Sequence, residues 1–231
     1  MQIVILAGGL ATRLGTLTER VPKSLLPVAG KPFLAWQLEL VARAGFDRVL
    51  LLTGHLSAAI RAFTGDGRSF GLELRCLDDG PELLGTAGAL RHALSELEQT
   101  FLVTYGDSYL PFDYAAPLRD LRAHSDALGT MAVFENQGRW DASNTCVSGE
   151  LVTRYEKGSR DPELTFIDYG ATALRRELIA ALPEGEALGL DQLQARLAGQ
   201  GRLRAYRAQE RFYEIGSREG LAELDAYLAT R

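Results

Sequence analysis

Short runs of uninterrupted apolar residues alternate with segments of helical period through the first half of the chain, and this alternation constrains the fold more than any other feature. Residues 3–6, 49–52, 72–77 and 101–103 read as strands. The first, second and last of these are apolar throughout, the pattern of a strand covered on both faces. Between them, residues 32–44, 55–63 and 86–97 carry apolar side chains at helical spacing, with Pro32 suited to a first turn and Gly45 to a C-terminal stop. Strand, helix and strand in succession imply parallel pairing through right-handed crossovers.

The second half is less regular. Residues 131–134, 144–147, 151–155 and 165–173 read as strands, with a hairpin at Ser148-Gly149-Glu150, and helices are expected at 175–182, 190–197 and 218–228. No repeat, low-complexity tract or long linker interrupts the 231 residues. They are therefore read as one α/β domain, whose later part is expected to add an antiparallel lid over the open edge of the earlier part. An apolar content of 46% supports a substantial core. A net charge of −5 argues against a nucleic-acid partner, which needs a basic face, but leaves room for local phosphate pockets. Cys76 and Cys146 lie far apart without metal-ligand spacing, which fits a reducing compartment. The opening Met1-Gln-Ile-Val-Ile-Leu-Ala has no basic n-region and too short an apolar run for a signal peptide to be expected in it. No apolar run approaches the roughly 20 residues that span a bilayer. A cytoplasmic protein without a membrane partner is expected. An apolar helix face could serve a homo-oligomer, but periodicity does not separate such a face from core.

The strongest local signal is Leu6-Ala7-Gly8-Gly9-Leu10-Ala11-Thr12-Arg13-Leu14, followed by Val21-Pro22-Lys23-Ser24-Leu25-Leu26-Pro27-Val28. The loop leaves the first buried strand at its C-terminal end, where open α/β sheets bind ligands. Adjacent glycines remove the Cβ atoms that hold a backbone away from phosphates, and they permit positive φ. Exposed loop amides form an anion-binding concavity, to which Arg13 and Lys23 add charge. The dinucleotide pattern Gly-x-Gly-x-x-Gly fails here, because Gly8 and Gly9 are adjacent and position 13 is arginine. The Gly-Lys-Ser/Thr phosphate loop fails as well, because Lys23-Ser24 follows Pro22. A tight βα turn with two solvated cations is the plainer reading of the same residues. A second signal is the apolar strand that ends Tyr105-Gly106-Asp107-Ser108 and so puts Asp107 at the sheet edge that carries the glycine loop. A hard Mg²⁺ held by one or two carboxylates and by substrate phosphates needs little more, although an aspartate closing a strand is also an ordinary turn residue.

Residues 6–14 and 22–32 resemble the signature of the sugar-1-phosphate nucleotidyltransferases, with Ala11 where glycine is usual and Ser24 where proline is usual. The resemblance runs from Ile3 to residues 213–216. It implies a Rossmann-like α/β fold, a mostly parallel sheet with helices on both faces, and a smaller antiparallel acceptor-binding region. Nucleotide binding is then expected from about 1–130 and acceptor binding from about 131–231. The implied substrates are an NTP and a sugar 1-phosphate, with Mg²⁺ as cofactor. Leu6, Ala7, Gly8 and Gly9 would line the nucleotide, Arg13 and Lys23 would be catalytic, and Asp107 would meet both nucleotide and metal. The second metal carboxylate falls in Phe212-Tyr213-Glu214-Ile215-Gly216, where Glu214 replaces the usual aspartate.

The stretch from Asp78 to Leu90 follows a strand and opens a helix. The resemblance makes Gly80, Gly85 and Thr86 part of a base and ribose pocket, while Thr86 also reads simply as a helix cap. Glu156-Lys157 resembles the family's acceptor pair, lysine for the sugar phosphate and glutamate for hydroxyls. On an exposed edge strand the same pair serves solubility. Ile167-Asp168-Tyr169-Gly170 stands where the family has Asn-Ala-Gly, and Trp140 to Asn144 also departs from it. Asn144, Asp168 and Gly170, with Trp140 and Tyr169, either reshape the acceptor pocket or serve packing. The Gly30-Lys31-Pro32-Phe33 stretch looks like guanylyltransferases acting on mannose or heptose 1-phosphate, with uridylyl, thymidylyl or cytidylyl transfer as alternatives. A catalytically silent binding homologue and a dinucleotide-dependent reductase are the readings from other classes. His55, His92 and His124 are scattered and receive no role.

Overall fold

The computed structural model describes residues 1–9, 14, 15, 18, 20–78 and 84–230. The chain forms two compact units. One contains Met1–Pro81, Thr104–Pro111 and Phe212–Arg231, and the other contains Glu82–Val103 and Phe112–Arg211.

The first unit is built on β1 (Gln2–Ala7), β4 (Arg48–Thr53) and β5 (Glu73–Asp78), which lie side by side in the order β5-β4-β1. Both pairings are parallel, with Gln2 opposite Arg48 and Arg48 opposite Glu73. The expected crossovers are helices α1 (Phe33–Arg43) and α2 (Ser57–Thr64). Ile3, Val4 and Ile5 are fully buried and residues 49–52 nearly so, which is why these strands read as unbroken apolar runs. The helix α1 stops at Gly45, whose N–H donates to Ala42 O while Phe46 N–H donates to Val41 O, the paired bonds that satisfy the last helical carbonyls. Two short antiparallel pairs complete the unit. These are β2 (Pro27–Val28) with β3 (Lys31–Pro32), and β7 (Ser108–Tyr109) with β13 (Tyr213–Glu214). Helix α7 (Arg218–Leu228) begins at Ser217, whose Oγ accepts from Gly220 N–H at 3.0 Å. Its Leu224 and Leu228 pack with Val28, Phe33, Tyr109 and Ile215 beneath the β7–β13 pair.

Strand β6 (Thr100–Tyr105) runs from the second unit into the first. The second unit carries β8 (Gly129–Glu135), β9 (Thr145–Ser148), β10 (Leu151–Tyr155), β11 (Phe166–Arg175) and β12 (Leu203–Arg207), in the order β11-β8-β12-β10-β9. Antiparallel pairing is present as expected in β11–β8, β12–β10 and the β10–β9 hairpin, while β12 runs parallel to β8. Its helices are α3 (Gly85–His92), α4 (Ala116–Ala123), α5 (Arg176–Ala180) and α6 (Leu190–Gly199). Strand β12 and helix α4 are additions to the expected elements. Among the described residues no helix is long and apolar enough to cross a membrane.

Candidate functional site

In the first unit the glycine loop leaves β1 between two glycines. A Cβ on Gly54, just past β4, would stand 2.9 Å from Gly8 O, and one on Gly106, just past β6, would stand 2.9 Å from the Ala7 Cβ. Gly106 N–H also donates to Leu6 O at 2.9 Å. The backbone of residues 6–8 is therefore set by close packing from both sides, which no side chain at 54 or 106 would permit. Gly9 does not take the positive φ that the glycine pair allows, and no described residue lies within 4 Å of its Cβ position. That is the geometry a phosphate or a base needs for close approach. Arg13 and Gly80 lie outside the described residues.

Lys23 opens a short 3-10 turn, Lys23–Leu25, and its Nζ reaches Asp107 Oδ2 at 2.5 Å. Both side chains are half-buried, 15% and 30% exposed. The turn that carries Asp107 is bound to the strand that carries Glu214: Ile215 N–H donates to Asp107 O at 2.9 Å, and Ser108 pairs with Glu214 in register. Lys23 and Asp107 thus touch, and the backbone of Glu214 pairs beside the turn that carries Asp107, so three chain segments far apart in sequence adjoin here. Among the described residues no group of three or more His, Cys, Asp or Glu gathers as a metal site. Two hard oxygen donors on adjoining backbone suit Mg²⁺, which keeps most of its sphere for water and phosphate oxygens.

In the second unit, Asn144, Glu156 and Asp168 are joined through the backbone. Asn144 Oδ1 accepts from Asp168 N–H at 2.8 Å, and Asn144 O accepts from Glu156 N–H at 2.8 Å. The Glu156 carboxylate turns to Arg154 at 2.7 Å, and that bond lowers its pKa. Asp168 Oδ1 accepts from Gly170 N–H at 3.0 Å, and Oδ2 accepts from the Tyr155 hydroxyl at 3.3 Å. Burial pushes the Asp168 carboxyl up to about 6; its hydrogen bonds and the Lys157 charge oppose that rise, and Asp191 at the start of α6 adds to it. Asp191 was not singled out in the sequence, where it reads only as the usual acid of a first helical turn. Tyr169 is buried and packs on Phe112 and Phe134, so its part is packing. Trp140 is exposed at 46%, with the Arg211 guanidinium 3.7 Å from its ring centre.

Thr86 does not cap its own helix. Its Oγ1 accepts from Leu190 N–H at 2.7 Å, and α3 starts after Leu84 without a side-chain cap. Gly85, at φ +67°, has its Cβ position 2.6 Å from Leu188 O, and Ala87 N–H donates to that same oxygen. A Cβ on Gly88, one helical turn on, would stand 2.8 Å from Glu186 O, so the close approach that Gly85 and Gly88 allow here is to the chain's own Glu186 and Leu188.

The MobA-like NTP transferase domain matches residues 3–210. A mannose-1-phosphate guanylyltransferase of Mycobacterium tuberculosis is 30% identical over 190 residues, which cover 82% of this chain and 53% of the relative. A UTP–glucose-1-phosphate uridylyltransferase of Synechocystis sp. is 28% identical over 207 residues, with the same shares of 82% and 53%. This chain spans about half the length of these curated relatives. HddC of Yersinia pseudotuberculosis, solved with GMP-PN, superposes with a TM-score of 0.80 at 23% identity, over 98% of this chain and 99% of that one, a likeness of fold.

Proposed function

Since the chain belongs to the MobA-like NTP transferase family, we propose that it transfers a nucleotidyl group from an NTP to a sugar 1-phosphate and releases pyrophosphate. The observation that carries this reading is the Lys23–Asp107 pair at the edge where the bare backbone of Gly9 opens. An already ionised oxygen of the sugar phosphate attacks the α-phosphorus. The new P–O bond forms as the bond to the β-phosphate oxygen breaks, and pyrophosphate leaves in line. No general base is needed. Lys23 and Arg13 supply positive charge to the triphosphate, and the amides near Gly8 and Gly9 orient it. Asp107 and Glu214 are the residues that would hold Mg²⁺, which when bound supplies charge neutralisation to the phosphates. Asn144, Glu156, Lys157, Asp168 and Gly170 form the acceptor side, lysine toward the phosphate and carboxylates toward hydroxyls.

Within this class we read GTP and a mannose- or heptose-type sugar 1-phosphate. The Gly30-Lys31-Pro32-Phe33 stretch and the similarity to a mannose-1-phosphate guanylyltransferase support that choice. The test is pyrophosphate release with Mg²⁺, each NTP in turn and a panel of sugar 1-phosphates. Release with GTP and a mannose- or heptose-type phosphate is the expected result. Release with UTP or dTTP would replace the guanylyl reading. No release from any pair would leave a silent binding homologue.

A further inference from the structure

Helix α1 buries Phe33, Leu34, Ala35, Leu38 and Val41, all apolar, and in the same stripe it buries Gln37, which is fully inaccessible. Helical period calls for an apolar residue at that position. Gln37 Nε2 donates to Tyr105 O at 2.8 Å and to Ser108 O at 3.1 Å. These two carbonyls bracket Gly106-Asp107. Oε1 is buried with no hydrogen-bond partner among the described residues. Turning the amide over would set Oε1 against two carbonyl oxygens, so the donor orientation is the one the surroundings demand. A buried acceptor left unpaired opposes folding. A glutamine kept there in spite of that is kept for its two donor bonds.

We propose that Gln37 is a positioning residue for the Asp107 carboxylate. By holding the carbonyls on both sides of a two-residue turn it fixes the direction in which Asp107 leaves the backbone. It thereby fixes the distance from Asp107 to Lys23 and to a metal–nucleotide complex. The turn is also held by Gly106 N–H on Leu6 O and Ile215 N–H on Asp107 O, from strand neighbours, while Lys23 and the Ser108 hydroxyl meet the Asp107 carboxylate itself. The Gln37 side chain grips the turn at both ends at once. The assignment rests on the reading of Asp107 as a metal-holding carboxylate.

The experiment uses the full chain and its Gln37→Met, Gln37→Glu and Asp107→Asn variants. Mn²⁺ binding is followed by paramagnetic resonance with the preferred NTP and no acceptor; kcat, acceptor KM and the pH profile follow with Mg²⁺. Methionine keeps the volume and removes both donors. It should weaken Mn²⁺ binding and lower kcat by about 10–100-fold each, as loss of a residue that orients a metal ligand does, while acceptor KM stays within about twofold. Glutamate should behave like methionine at pH 8. It should regain activity relative to the parent as the pH falls and its protonated form donates to one carbonyl again, a response that a packing role does not give. A methionine variant with parental Mn²⁺ affinity and kcat would overturn the assignment. If that variant does not fold, the glutamate variant decides, and a pH-independent activity ratio to the parent overturns the proposal. Asp107→Asn separates the two levels. Unchanged Mn²⁺ binding there sinks the Asp107 reading and the clamp with it, whereas loss there without loss in Gln37→Met sinks the clamp alone.

Discussion

Burial holds the Asp168 proton to about pH 6, against 3.8 for an unhindered aspartate, so the folded chain binds more protons than the unfolded chain between those values. Stability from this group is therefore highest below pH 4 and falls as the pH rises toward 6, and above 6 the full cost of a buried charge is present. Asp168→Asn keeps an oxygen for Gly170 N–H and an amide for the Tyr155 hydroxyl. At pH 8 it should stabilise the fold by up to about 3 kcal/mol, with the gain shrinking below pH 6 and gone near pH 4. Melting temperatures of both proteins across that range check this, and a pH-independent difference would mean that the charge is not what burial penalises. Lys23 is the opposite case. Its partly exposed pair with Asp107 contributes about 0–1 kcal/mol to stability. Lys23→Ala should therefore melt within a few degrees of the parent, yet lose turnover by about 10²–10³-fold, the effect of removing one aimed charge-stabilising donor. Turnover within tenfold of the parent would place Lys23 outside the reacting centre.

Strands and helices with a strong period were legible in the sequence because burial imposes that period: β1 and β4 as unbroken apolar runs, α7 from its helical spacing. The pieces that set the site were not. Strands β7 and β13 are two residues each, too short for any alternation to register, and their pairing spans about a hundred residues. Helix α4 has eight residues, with a proline near its start, and offers little more than two turns of pattern. What fixes the β7–β13 pair is α7, through Leu224 and Leu228 against Tyr109 and Ile215. Asp225 ties the same helix to the β2–β3 turn by accepting from Ala29 N–H at 2.7 Å. Leu224→Ala should cost about 2–5 kcal/mol, the range for emptying a closed leucine site. Urea unfolding measures it directly. A loss under 1 kcal/mol would mean that the cluster closes over the gap and that α7 is not its keystone.

The first unit is assembled from three separated segments, and Lys23, Asp107 and Glu214 each come from a different one. Local motifs announced each of the three in the sequence, since Pro-Lys, Gly-Asp and the aromatic run before Glu214 are contiguous patterns. The backbone arrangement that joins them depends on Gln37 and Gly54, whose parts rest on contacts with chain tens of residues away and leave no local trace. Such an assembly exists only in the folded unit, so a ligand that bridges the segments must stabilise it by mass action. With Mg²⁺ and the preferred NTP at about 100 times its Kd, the gain is about 2.7 kcal/mol, roughly 5–10 °C for a chain of this size. The shift should need nucleotide and metal together and should vanish in Asp107→Ala, while that variant alone melts near the parent. Equal shifts in parent and variant would show that the nucleotide is held away from Asp107, and the catalytic edge would have to be sought elsewhere on the chain.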